Sequence, residues 1–173
     1  MRVLVTAASK HGATAEIADW IGTALRGAGA EVTLAEPETV ESVSEFDAVV
    51  LGSGVYAGHW LAQAKDFALK YTGELTDSRV WIFSSGPIGD PLRPDEAPVD
   101  VAEMIPLTGA REHRLFGGRI DKHGMSFGER AILVALRVPE GDFRPRDDIA
   151  AWALGIATAV EAELGQTEIV ANA

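Results

Sequence analysis

Arg2-Val3-Leu4-Val5-Thr6-Ala7-Ala8-Ser9-Lys10-His11-Gly12-Ala13-Thr14-Ala15-Glu16-Ile17-Ala18 is the stretch that decides how this chain is read. Its opening residues, Arg2–Thr6, cluster apolar side chains in the way that suits a strand buried on both faces of a parallel sheet. A polar turn follows from Ser9 to Thr14. Beyond it, Ile17, Trp20, Ile21, Ala24 and Leu25 recur at helical spacing, and Gly27 and Gly29 mark the helix end. A turn between a parallel strand and a helix gathers backbone N–H groups, and the helix terminus adds a field that favours an anion. Ser9 and Thr14 offer hydroxyls, Gly12 relieves backbone crowding, and Ala13 leaves room for close approach. No Gly-Lys-Ser/Thr closes the loop and Lys10 stands in the wrong place for a triphosphate, which argues against ATP hydrolysis.

Outward from this unit the strand-turn-helix pattern repeats. Glu31–Ala35 reads as a second strand and Phe46–Gly52 as a third, followed by a loop, Ser53–Trp60. Leu61, Ala64, Lys65, Ala68 and Leu69 then share a helical face that stops near Gly73. Arg79–Phe83 is a fourth strand, Ser84–Pro98 a long Gly- and Pro-rich connection, and Arg111–Phe116 a fifth strand. Phe127, Ala131, Leu133, Val134, Ala135, Leu136 and Val138 suggest an extra apolar helix that covers the core, supports a homodimer, or meets a membrane or lipophilic substrate. Asp147 or Asp148 is the expected cap of a final helix with Ile149, Trp152, Ala153, Ile156 and Val160 on its packing face. The pattern predicts an α/β fold, an open parallel sheet covered by helices on both faces. Residues 1–165 are expected to form one domain and 166–173 a short C-terminal tail.

Composition narrows the function. The chain has 173 residues, 47% of them hydrophobic, which favours one folded core over disorder. A formal net charge of -11 disfavours general attraction to nucleic acid or an anionic membrane. With no Cys, disulfides, thiol nucleophiles and Cys-held iron–sulfur or zinc sites are excluded. The four histidines, His11, His59, His113 and His123, have no metal-ligand spacing, so no metal is expected. No secretory leader and no apolar run approaching the roughly 20 residues of a transmembrane span is present, and a cytoplasmic location is the expectation, with peripheral membrane association left open.

The first loop, Val5 to Thr14 followed by Glu16-Ile17-Ala18, resembles the phosphate-binding signature of flavodoxins. Ser9 matches the leading hydroxyl residue, Gly12 the small loop residue and Thr14 the final hydroxyl; His11 stands where many flavodoxins have Thr, and Ala7 where an aromatic residue is common. Val49-Val50-Leu51-Gly52-Ser53-Gly54-Val55-Tyr56-Ala57-Gly58-His59 resembles the family's second flavin loop, and Val80-Trp81-Ile82-Phe83-Ser84-Ser85-Gly86 its third. The resemblance implies a five-stranded parallel sheet in the order 2-1-3-4-5, with FMN at the carboxyl ends of the strands. It implies a phosphate held by Ser9, Lys10, His11, Gly12, Ala13 and Thr14, and a ring bordered by Ser53, Gly54, Val55, Tyr56, Ala57 and Gly58 and by Ser84, Ser85, Gly86 and Gly89. Tyr56 is the ring-packing candidate, while His59 and Trp60 are candidates for the redox edge, Trp60 having core packing as its alternative. Gly58-His59 and Gly141-Asp142-Phe143-Arg144 leading into Asp147 and Trp152 are similar to the flavodoxin domains that include menaquinone-dependent protoporphyrinogen dehydrogenase.

An FMN-dependent oxidoreductase, quinone-linked, is therefore the leading expectation, with an electron carrier that serves redox proteins and an interaction domain with a diverged flavin site as alternatives. No catalytic residue is assigned, because FMN itself carries the redox chemistry. Gly52-Ser53-Gly54 with Gly58 is one position out for a dinucleotide GxGxxG and follows the third strand instead of the first. Neither Ser53 nor Ser84-Ser85-Gly86 has the spacing of a hydrolase nucleophile elbow.

Overall fold

A computed structural model describes residues 1–88, 93, 95–121, 127, 128, 130, 131 and 139–171 of the chain. Strand β1 (Arg2–Ala8) is buried from Val3 onward because it has a parallel neighbour on each side, β2 (Glu31–Ala35) and β3 (Ala48–Tyr56). Next to β3 lies β5 (Val80–Ser85), buried throughout, and then β6 (Glu112–Phe116). The edge strands β2 and β6 are half-exposed, while the central strands are apolar on both faces, as helices on both sides of a sheet require. The order β2-β1-β3-β5-β6 is the expected five-stranded parallel topology, supplemented by a short antiparallel partner of β3, β4 (His59–Trp60).

One face of the sheet is covered by α1 (Ala13–Gly27) and the last helix, α5 (Arg146–Ala171), through Ile17, Ile21, Leu25, Ile149, Trp152, Ile156 and Val160. The other is covered by α2 (Ala62–Lys70), α3 (Thr72–Thr76) and α4 (Val101–Thr108), through Phe67, Leu75 and Met104. Two short antiparallel strands, β7 (Arg119–Ile120) and β8 (Gly141–Asp142), form a separate ribbon.

Several local expectations are corrected. Residues 53–56 continue β3, and the chain reverses through Ala57 (φ 51°) and Gly58 (φ 83°), both left-handed, which is the two-residue hairpin turn that matches strand twist. The buried face of α2 is Ala64 and Ala68, as expected, together with Phe67, while Leu69 is 58% exposed. Gly73 lies inside α3 instead of ending a helix. Helix α4 was not foreseen; it accommodates Pro106 and ends on Gly109 at φ 64°. Ile149 N–H bonds the Pro145 carbonyl, so Asp147 and Asp148 occupy the first turn of α5 and do not cap it, and the helix continues past residue 165 to Ala171. His123 and most of the apolar Phe127–Val138 segment lie outside the described residues, but Phe127 is helical and 89% exposed.

Candidate functional site

β1 delivers the chain to residues 9–12 at the carboxyl edge of the sheet, and Gly12, at φ 81°, turns it into α1. No side chain caps that helix: its first intrahelical bond is Glu16 N–H to the Gly12 carbonyl, and the preceding N–H groups receive no side-chain oxygen. Beside them Ser9 Oγ is buried without a hydrogen-bond partner, and Thr14 is nearly buried. An uncapped helix terminus next to an unsatisfied hydroxyl is a donor set suited to an anion.

These groups line one end of a cleft whose other walls are Gly54, Val55, Tyr56, Ser85, Gly86, Gly118, Arg119 and Ile120. Backbones form its floor. A Cβ on Gly54 would sit 3.0 Å from Thr14 Oγ1, one on Gly86 2.9 Å from Val55 Cβ, and one on Gly118 3.2 Å from Gly86 Cα. Gly118 N–H in turn donates to the Pro87 carbonyl at 2.6 Å. Glycine at these points lets three chain segments converge without filling the space above them.

Tyr56 stands at the mouth, 38% exposed, its ring centroid 6.1 Å from that of His11 and 5.2 Å from Lys10 Nζ. The hairpin beyond it is braced from outside the sheet. Val99 N–H donates to the Gly58 carbonyl, and Asp100 Oδ2 accepts from Trp60 N–H at 2.7 Å and meets His59 Nδ1 at 3.2 Å. Lys65 Nζ reaches the other Asp100 oxygen at 3.4 Å. Burial alone would raise the Asp100 carboxyl, but the Trp60 N–H, Lys65 and His59 together hold it below its usual range. His59 thus faces Asp100 and is not part of the cleft wall.

Three of the expected site residues point elsewhere. Trp60 is 3% exposed and donates from Nε1 to Ser84 Oγ at 2.8 Å, which places it in the core, as its alternative reading had it. Ser84 Oγ also meets His113 Nε2 at 2.8 Å, and burial pushes the His113 imidazole below its usual pKa, against the opposing charge of Glu112. Ser53 Oγ accepts from Leu61 N–H and donates to the Gly54 carbonyl. Both serines therefore fix strand ends with side chains turned inward. Ser85 faces the cleft and bonds the Gly117 carbonyl. Ala57 and Gly58 line a neighbouring, mainly apolar cleft with Val55, Pro87, Ile88, Val99 and Leu115, to which Arg93 and Glu96 add two charged side chains. Gly89 lies outside the described residues.

The structure adds residues that the sequence reading missed. Arg144, its side chain only 2% exposed, donates to the Ala13 carbonyl at 3.0 Å, to Glu16 at 2.8 Å and to Asp142, with its guanidinium 4.5 Å from the Trp20 ring centroid. Arg119 reaches the same Glu16 at 2.8 Å. Burial works to raise the Glu16 carboxyl, and the two guanidiniums outweigh it and hold it charged. Gly118, Arg119 and Ile120 follow the fifth parallel strand, so the rule that ligands bind at strand carboxyl ends was the available signal. No sequence signal joins Glu16 to partners 103 and 128 positions away.

A model of the family described as Flavodoxin domain matches residues 4–144. The chain belongs to the flavodoxin domain family. FMN is the cofactor that goes with this membership, and the flavodoxin site fits it: hydroxyl and N–H donors for a phosphate at one end, an aromatic face for a planar ring at the other. Among solved structures, flavodoxin 2 of Bacillus cereus is 22% identical over 92% of this chain and 99% of its own, with a TM-score of 0.64. A flavodoxin from the domain Archaea is 19% identical over 93% and 99%, at 0.61. Rubredoxin oxygen:oxidoreductase of Desulfovibrio gigas is 16% identical, at 0.65, and here the flavodoxin domain covers 94% of itself but spans only 37% of that longer chain. At these identities the likeness is one of fold. No curated protein matches the sequence. Among the described residues no helix is long and apolar enough to cross a membrane, and no group of His, Asp and Glu is arranged to hold a metal ion.

Proposed function

We propose that this flavodoxin domain binds FMN in the cleft above its first loop and serves as an electron-transfer protein that exchanges electrons with a redox partner. The observation that carries the reading is the unpartnered Ser9 hydroxyl beside the uncapped start of α1, at the closed end of a cleft whose mouth exposes Tyr56. On this reading Ser9, Gly12, Ala13 and Thr14 hold the phosphate, with Lys10 and His11 at the rim. Tyr56 packs on the ring, Gly54, Val55, Ser85 and Gly86 border it, and Ser53 and Ser84 hold the strand ends beneath. Bound FMN supplies one- and two-electron chemistry. The protein's own part is to fix the ring's orientation, keep water from its buried edge and leave another edge open. The Ala57–Gly58 peptide is the adjustable backbone group beside that ring, since Gly58 tolerates conformations closed to other residues.

A carrier reading is supported by family membership and by the flavodoxins that align with the chain over nearly their whole length. The quinone-linked oxidoreductase remains the second reading, and the apolar cleft between the hairpin and Pro98–Val99 favours it, because an apolar organic acceptor would lie there next to the ring. Gentle purification, cofactor extraction with mass identification, and stopped-flow oxidation of the reduced holoprotein test both. Rapid exchange with redox proteins and slow reaction with quinones is the expected outcome; saturable, fast quinone reduction would replace the carrier by the enzyme.

A further inference from the structure

Arg119 is the one residue with a permanent positive charge among the described residues that line the cleft. It projects from β7, whose ribbon with β8 is tied to the cleft floor by the Phe143 N–H bond to the Gly118 carbonyl. Its partner Glu16 lies in the first turn of α1, so the Arg119 guanidinium is held at the phosphate end of the cleft. Glu16 would by itself repel a dianion there. The carboxylate has two cationic partners that differ in setting: Arg144 is enclosed and also bonds the Ala13 carbonyl, whereas the Arg119 side chain is 29% exposed and meets Glu16 through Nη1. Arg144 anchors Glu16 through Nη1 and turns its Nε and Nη2 to Asp142, while Arg119 meets Glu16 through Nη1 alone, which leaves Arg119 with donors for a further acceptor, a guanidinium having five.

We propose that Arg119, oriented by Glu16, is a phosphate-selecting residue of the flavin site, supplying a fixed guanidinium on the cleft wall itself, where Lys10 of the loop reaches only the rim. The proposal rests on FMN binding in this cleft. It predicts that the site prefers FMN over riboflavin partly through Arg119, because only FMN carries the phosphate.

The test is titration of the apoprotein with FMN and with riboflavin, read by flavin fluorescence, for the wild type, Arg119→Ala, Arg119→Lys and, as a charge control, Arg114→Ala on β6. Losing a charge-assisted hydrogen bond is expected to weaken FMN binding by about tenfold or more in Arg119→Ala while riboflavin binding stays as it was. Arg119→Lys should retain most of the preference, and Arg114→Ala all of it. Equal weakening of both flavins, or no weakening of either, would overturn the role of Arg119. Should the alanine variant unfold, Arg119→Lys decides: a preference that is largely retained at low salt and falls more steeply with salt than in the wild type supports the role, and a preference identical to the wild type at every salt concentration contradicts it. A folded wild type that binds neither flavin fails the cofactor reading itself, an outcome distinct from any difference among variants.

Discussion

Ser9 concentrates the functional argument in a single atom. A buried hydroxyl without a partner costs free energy in the empty protein and repays it when a ligand oxygen arrives. Ser9→Ala is therefore expected to weaken FMN binding by about tenfold while leaving apoprotein stability within about 1 kcal/mol of the wild type, a separation read by flavin titration beside urea unfolding. Loss of stability with unchanged affinity would make the hydroxyl structural. Gly58 makes a different residue-scale prediction. At φ 83° a Cβ meets no neighbouring atom, so Gly58→Ala should cost only the backbone strain of about 1 kcal/mol and shift at least one flavin potential by stiffening the Ala57–Gly58 peptide. Spectroelectrochemical titration with unchanged potentials would remove that peptide from the redox site.

Elements are joined here by polar contacts that lie outside the cofactor cleft. Trp60 on β4 is tied to β5 through Ser84, and Trp60→Phe is expected to lower stability by about 1–2 kcal/mol through the lost buried hydrogen bond while leaving flavin potentials alone. The reverse pattern would return Trp60 to the redox edge. At the far end of the sheet, Glu163 of α5 bonds Arg111 bidentately and Arg79, which precede β6 and β5. The Arg111 hydrogen bonds, aided by Arg79 and opposed by burial, pull its carboxyl from 4.5 down to about 2. A carboxyl depressed in the folded state stabilises above its unfolded value, so this contribution is present near neutrality and fades as pH falls through about 4.5 towards 2. Glu163→Gln should be less stable than the wild type at pH 7 by a modest, salt-screened amount, with the gap closing over that acid range in thermal melts. Strands and α1 were legible because burial leaves a periodic trace in sequence. The hairpin was not, since Ala57-Gly58 lacks the usual Asn-Gly or Asp-Gly signal, and α4 was hidden by Pro106.

For the molecule as a whole, topology does the assembling. The parallel order brings the ends of β1, β3, β5 and β6 to one edge, where loops distant in sequence share a cleft. That is why the Ser9–Thr14 loop could be recognised from its neighbours alone, while Arg119 and Arg144 could not: their places depend on where the ribbon after β6 folds back onto α1. An acidic chain with a locally neutralised donor site also accounts for anion binding against a net charge of -11. The central claim is that this site is built for FMN, and equilibrium titration of the folded apoprotein with FMN tests it most directly. Saturation at one FMN per chain, with quenching of flavin fluorescence as the ring packs on Tyr56, is the predicted result. A folded protein that leaves FMN free in solution at every concentration, and takes up a nicotinamide dinucleotide instead, would contradict it.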